Sequence, residues 1–273
     1  MNAFRRVNRI LIALALVLTA SVASAQQAAQ SGTAGQAGTK PFEPTVGQPG
    51  KDVVWVPSPQ ALVDKMLDMA KLTPQDYLMD LGSGDGRTVI TAAKRGATAV
   101  GVEYNPDMVA LSKKNAEKEG VAAKATFMQA DLFKTDLSKA TVITMFLLPS
   151  INMQLRPTLL NLKPGTRIVS NTFTMEDWQP DETFSVPNPC VSWCTALLWI
   201  IPAKVQGTWK MPQGNLTLTQ QFQMLTGTLG TAAISEGKVN GEEISFTAGG
   251  TKYTGRVNGN TIQGQGWTAS RVN

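Results

Sequence analysis

From Tyr77 to Pro202 short, almost wholly apolar runs alternate with amphipathic ones, and nothing else in the chain restricts its fold so much. The strand runs are 77–82, 97–104, 124–131, 140–148, 166–173, 182–187 and 195–202, the sixth being more polar than the others. Between them, 87–96, 106–120 and 150–162 carry a helical period, as does 59–71 ahead of the first run, with Leu62, Met66, Met69 and Ala70 on one face. Strands apolar on both faces need cover on both faces, so the pattern predicts a mainly parallel sheet between helical layers. Gly96 and Gly120 read as helix stops, and Pro106 opens a first turn. Pro157 is expected to kink or restart the fourth helix. No helix fits between the last two runs, so they should pair antiparallel.

After Lys204 the helical period disappears. Short alternating runs are broken by glycine, and "GKVNGEEI" (237–244) returns as "GRVNGNTI" (255–262), 18 residues later. Asn-Gly between strand formers is a hairpin signal. Residues 204–273 are therefore expected to form a small antiparallel β-domain, a meander or partial barrel. Its two similar hairpins should pair and bury Val239, Ile244, Phe246, Val257 and Ile262.

The start of the chain has a different character. Arg5, Arg6 and Arg9 precede an apolar run, Ile10–Val22, and the small-residue site Ala23-Ser24-Ala25. This is the pattern of a signal peptide over 1–25, which implies a periplasmic or extracellular protein. An uncleaved leader would instead be a membrane anchor; once cleaved, no stable membrane span is expected. Those three arginines supply most of the formal charge of +5, so the basic balance argues little for nucleic acid, and no nucleic-acid partner is expected. Residues 26–50, rich in Gln, Ala, Gly, Ser and Thr, are expected to be a disordered linker before a main domain over 51–203. There is no histidine, which excludes Ser-His-Asp chemistry and most zinc sites; no metal is expected. The two cysteines, Cys190 and Cys194, allow either a local disulfide or two buried thiols.

The loop after the first strand is Gly82-Ser83-Gly84-Asp85-Gly86. Its glycines let the backbone turn sharply and approach a ligand, at the sheet edge where such folds bind ligands. Asp80 and Asp85 would repel a pyrophosphate but suit a cation such as the amino group of a methionine moiety. Glu103 ends the second strand, 23 residues after Asp80, where an acid can accept both hydroxyls of a ribose. Asp131 ends the third, where a carboxylate can accept from an adenine amino group. Tyr104 and Leu132 follow these acids and join the candidate cofactor residues.

"DLGSGDGR", "GVEYNP" and "ADLF" resemble the cofactor motifs of class I S-adenosylmethionine-dependent methyltransferases. Together with "VPSPQALVDKML", "FLLPSINMQLRPTLLNLKPGTRIVS" and "DWQPD", they resemble the family that includes the mitochondrial ATP synthase c-subunit lysine N-methyltransferases, over roughly residues 51–202. The resemblance implies a Rossmann-like, seven-stranded sheet with its last strand antiparallel, and S-adenosylmethionine as cofactor. It implies that Asp80, Glu103 and Asp131 contact that cofactor, with Gly82, Gly84 and Gly86 as the loop glycines. A protein lysine is the implied acceptor.

Methyl transfer needs positioning and water exclusion more than acid–base machinery. Phe146, Leu148 and Pro149 at the end of the fourth strand suit an apolar channel for an alkyl chain, and Trp55 and Pro57 could close it from above. The same Phe-Leu-Leu run would also serve as ordinary core. No residue takes a catalytic role from sequence alone. Two other functions fit the same residues: an exported, non-catalytic binding module on this fold, and a small-molecule methyltransferase. The sequence says nothing of oligomeric state.

Overall fold

Seven strands form the main sheet: β1 Tyr77–Leu81, β2 Thr98–Glu103, β3 Ala125–Gln129, β4 Val142–Met145, β5 Arg167–Asn171, β6 Glu182–Ser185 and β7 Thr195–Ile200. The computed structural model describes residues 42–187 and 190–272; the expected leader, and the linker up to residue 41, lie outside them. Strand order is β3-β2-β1-β4-β5-β7-β6. β1 to β5 are parallel, and β7 runs antiparallel to both β5 and β6. Between β1 and β4 the winding reverses direction, which makes the carboxyl end of β1 the switch point where such sheets bind ligands.

Four helices cover the sheet: α1 Gln60–Met69, α2 Arg87–Lys94, α3 Pro106–Lys118 and α4 Pro149–Leu159. Strand alternation sorts the core. Leu78, Val142, Val169 and Leu198 face α1 and α2, while Met79, Ile143, Ile168 and Trp199 join Leu155 and Leu159 of α4. Leu62, Met66, Met69 and Ala70 are buried together, as the period predicts. Asn105 caps α3 by accepting from the Asp107 N–H at 2.9 Å. Contrary to expectation, Pro157 does not restart α4. The helix runs unbroken from Pro149 to Leu159, with Pro157 two residues from its end.

Eight further strands follow: β8 Gly207–Met211, β9 Gly214–Gln221, β10 Met224–Leu229, β11 Ala232–Asn240, β12 Glu243–Ala248, β13 Thr251–Asn258, β14 Thr261–Gly264 and β15 Trp267–Arg271. Each pairs antiparallel with the next, and β15 returns to β8, so the expected meander or partial barrel is a closed barrel. Register shifts beside Gly227 and Gly237 bend the strands enough to close it. A Cβ on Gly227 would fall 1.9 Å from the Thr217 carbonyl oxygen. Val239, Ile244, Phe246, Val257 and Ile262 fill the interior with Trp209 and Trp267. The repeated hairpins turn one residue later than Asn-Gly alone suggests: Asn240 and Asn258 end strands, and Gly241 (φ 59°) and Gly259 (φ 56°) open two-residue loops.

The barrel is joined to the sheet through polar contacts sealed from water. Trp178 Nε1 donates to Gln223 Oε1 at 2.9 Å, and Gln223 Nε2 donates to the Gln179 carbonyl at 2.8 Å. Both side chains are buried, and the Trp178 and Phe222 rings stack at 5.7 Å. The Ala203 N–H donates to the Gly241 carbonyl at 2.7 Å.

Candidate active site

Beyond β1 the chain turns through three glycines with positive φ: Gly82 (76°), Gly84 (54°) and Gly86 (83°). The turn is held from outside. The Gly82 N–H donates to the Val102 carbonyl at 2.9 Å, Ser112 Oγ to the Gly84 carbonyl at 2.7 Å, and Asn115 Nδ2 to the Asp85 carbonyl at 3.0 Å. A methyl on Gly84 would sit 2.7 Å from Trp55 Nε1, so this glycine lets Trp55 lie directly on the loop. Gly86 serves packing instead: a Cβ there would be 2.7 Å from the Phe127 ring.

Four acids converge on the turn with different roles. Asp80 is 6 % exposed and accepts from Thr144 Oγ1 at 2.6 Å. Burial pushes its carboxyl up to about 7, against the Thr144 hydrogen bond, and the charges of Glu103 and Asp85 push the same way. Glu103 accepts from the Gly84 N–H through Oε2 and the Asn105 N–H through Oε1, each at 2.9 Å, which fixes the carboxylate at the cavity wall. Asp131 accepts from the Phe133 N–H at 3.0 Å and from Lys51 at 3.0 Å. The hydrogen bond from Lys51 comes first among the interactions that hold its carboxyl below the usual range. Asp85 has a partner within the chain. Its carboxylate is gripped by the Arg87 guanidinium at 2.6 Å and 3.0 Å, and Arg87 also donates to the Ser58 carbonyl at 2.9 Å. The charge meant for a ligand cation is thus already paired, and Asp85 ties the loop to the start of α1.

A segment assigned to the linker covers these acids. Residues 42–50 are not a free tether. The Gly47 N–H donates to the Trp55 carbonyl, the Trp55 N–H to the Gln48 carbonyl, and the Gly50 N–H to the Val53 carbonyl, at 2.8–2.9 Å. Composition misses this because the order comes from packing on the sheet edge, not from apolar content of the segment itself. The strap carries Lys51 to within 4.9 Å of the Tyr104 ring centroid as well as to Asp131.

Strap, glycine loop and strand ends enclose a cavity of about 470 Å³. Its lining includes Asp80, Gly82, Ser83, Gly84, Asp85, Glu103, Tyr104, Asp131 and Leu132; of the expected cofactor residues only Gly86 is absent from it. Trp55, Pro57, Phe146 and Leu148 line it too, whereas Pro149 does not, being the first residue of α4. Leu147, not Leu148, is the buried member of its pair, packed under Gly82. Ser83 Oγ is buried in the lining without a hydrogen-bond partner, and a polar ligand in the cavity would satisfy it.

Sequence reasoning found Phe146 and Leu148 at the apolar end of the cavity but missed Phe173 and Trp193. Phe146, Phe173 and Trp193 meet there, with ring centroids 5.4–5.9 Å apart. Trp193 arrives on the segment between β6 and β7, which a Cys190–Cys194 disulfide closes, Cα to Cα 5.9 Å. That settles the two readings of the cysteines in favour of the bridge. An indole flanked by two cysteines was the available signal. Phe173 gave none, since it reads as the end of β5.

A reversed β7 beside five parallel strands, a glycine turn at the switch point and acids ending three successive strands define a class I S-adenosylmethionine-dependent methyltransferase. A family model described as the ANTKMT methyltransferase domain matches residues 80–182. A protein-lysine N-methyltransferase of Saccharolobus islandicus is 45% identical over 137 residues, covering 49% of this chain and 85% of that protein. The ATP synthase c-subunit lysine N-methyltransferase of Homo sapiens is 37% identical over 128 residues, 46% of this chain and 54% of its own length. A crystal structure of an RNA methyltransferase from Salinibacter ruber in complex with S-adenosyl-L-homocysteine shares 47% identity with a TM-score of 0.52, covering 55% of this chain and 96% of that one. The chain belongs to the protein-lysine N-methyltransferase family, and its cofactor is S-adenosylmethionine.

Proposed function

We propose that this protein methylates the side-chain amine of a lysine in another protein, and that it does so outside the cytoplasm. The observation that carries the acceptor reading is the division of the cavity into a polar end and an apolar one. Asp80, Glu103 and Asp131 stand at the first; Phe146, Leu148, Phe173 and Trp193 stand at the second. S-adenosylmethionine, when bound, supplies an electrophilic methyl group on a sulfonium. Asp80 faces the methionine ammonium, Glu103 the ribose hydroxyls and Asp131 the adenine edge. Lys51 already donates to the Asp131 carboxylate, which keeps acceptor sites for a second donor. The apolar end strips water from the incoming alkyl chain, which favours the neutral amine needed for attack. Trp55 and the strap keep bulk water from the reacting atoms.

Export is supported by the leader-like segment over 1–25 and by the disulfide, which is at home in an oxidising compartment. Among the described residues no helix is long and apolar enough to cross a membrane.

The test is incubation of the full chain with methyl-labelled cofactor and a cell-envelope extract. Label should appear in protein and be recovered as methyl-lysine after acid hydrolysis. Label confined to RNA or to low-molecular-weight material overturns the acceptor assignment. Tight binding of S-adenosylhomocysteine with no transfer to any fraction would favour a non-catalytic binding module.

A further inference from the structure

We propose that Trp193 is the residue that positions the acceptor amine, and that the Cys190–Cys194 bridge serves to hold it there; this rests on the methyltransferase reading above. The family match ends at residue 182, so both features lie beyond it. Two strained residues build the wall. Trp193 has φ 57°, and Thr172, immediately before Phe173, has φ 61°. A β-branched threonine and a tryptophan both resist the left-handed region, and such strain persists where the surroundings impose it, commonly at functional sites. The surroundings here are explicit. The Thr172 N–H donates to the Thr195 carbonyl at 2.7 Å, its Oγ1 donates to Asn171 Oδ1 at 2.9 Å, and the Val186 N–H donates to the Cys194 carbonyl at 2.8 Å.

That strain does not serve the core. Trp193 remains 39% exposed, and its ring contacts are with Phe146 and Phe173, both at the cavity wall. Its use becomes clear from the reaction. The amine lone pair forms a bond to the methyl carbon as the carbon–sulfur bond breaks, and the positive charge passes from sulfur to nitrogen. Aromatic faces beside that nitrogen stabilise the charge as it arrives, without a carboxylate that would hold the substrate protonated by full ion pairing. The rings touch one another, so they form a wall against which the amine lies. Reduction of the bridge transfers two electrons and two protons from a dithiol, leaves two cysteine thiols, and releases Trp193 from the wall.

The probe is an S-adenosylhomocysteine analogue with nitrogen in place of sulfur, carrying a two-carbon aminoethyl arm. The arm's ammonium stands in for the charged nitrogen. Calorimetry on the full chain compares it with S-adenosylhomocysteine. We expect the arm to improve affinity about tenfold in the wild type and less than about twofold in Trp193→Ala. Trp193→Phe should recover most of the gain. Dithiothreitol treatment, or the paired change Cys190→Ser and Cys194→Ser, should reproduce the alanine result. Affinity for S-adenosylhomocysteine should stay the same in every variant, which shows that the fold and cofactor end are intact. An arm as effective in Trp193→Ala as in the wild type overturns the proposal, as does a neutral propyl arm that binds equally well. Binding of neither ligand to the wild type sinks the methyltransferase reading, and this inference with it.

Discussion

Asp80 shows what one residue costs and returns. Its carboxyl is pushed up to about 7 by burial, while the unfolded chain releases that proton near 3.8. Between those values the native state binds more protons than the unfolded state. Stability therefore falls as pH rises from about 4 to about 7, and above that the ionised carboxylate carries its full burial cost. Asp80→Asn keeps an acceptor for Thr144 and removes the charge. The variant should melt higher than wild type at about pH 8 and together with it near pH 4, followed by circular dichroism. It should also lose S-adenosylhomocysteine binding, and wild-type affinity should strengthen between about pH 6 and 8 as Asp80 ionises to meet the ligand's ammonium. Equal melting at both pH values would show that burial does not govern this group. The glycines make a contrasting pair. Gly86→Ala drives a methyl into Phe127 and forces a positive φ, so it should cost about 1–3 kcal/mol in denaturant unfolding although Gly86 lines no cavity. Gly84→Ala meets Trp55 instead, and should weaken cofactor binding by displacing the strap.

At the scale of elements, the join between sheet and barrel depends on one buried amide. Gln223→Leu leaves the Trp178 indole N–H and the Gln179 carbonyl without partners, which should destabilise the protein by about 1–3 kcal/mol. Among the described residues none after Trp193 lines the cavity, so cofactor affinity should stay within about threefold, or about 0.7 kcal/mol. A larger loss would tie the barrel to the site. This join was unreadable in sequence: "DWQPD" and Gln223 lie about forty residues apart, and neither has a local pattern that names the other. The strands themselves were readable, because an apolar run covered on both faces has few other fates. The place of Asp80, Glu103 and Asp131 at the cavity was readable too, since acids at the ends of neighbouring strands meet at one edge of the sheet. The pairing of Asp85 with Arg87, two residues away, was not weighed in the sequence reading, although Asp85 does line the cavity. The strap over 42–50 and the Phe173–Trp193 contact depend on tertiary packing alone, which neither composition nor periodicity registers.

The whole molecule depends on two long-range pairings. The sheet places its site at a switch point where β1 pairs with β4, about sixty residues further on, and the barrel likewise completes itself only when β15 reaches β8, about sixty residues back. Deleting residues after Ala203 removes Phe222 and Gln223 from Trp178, so the shortened protein should melt lower yet retain S-adenosylhomocysteine binding, measured by calorimetry. Loss of binding in a shortened protein that keeps its circular dichroism would assign the barrel a part in the site. The barrel seam itself is fastened by Arg271. Its guanidinium donates to the Lys204 and Gln206 carbonyls at 2.6 Å each and lies 4.2 Å over the Trp209 ring. Hairpins form from neighbours and can assemble early, but this clasp requires the ring to be complete, so it belongs to the last events of folding. Interactions made after the transition state govern how fast a protein comes apart, not how fast it forms. Arg271 thus acts on the lifetime of the native barrel. Arg271→Ala should speed unfolding in stopped-flow denaturant jumps while refolding keeps its pace, so that one side chain at the seam sets how long the closed barrel lasts.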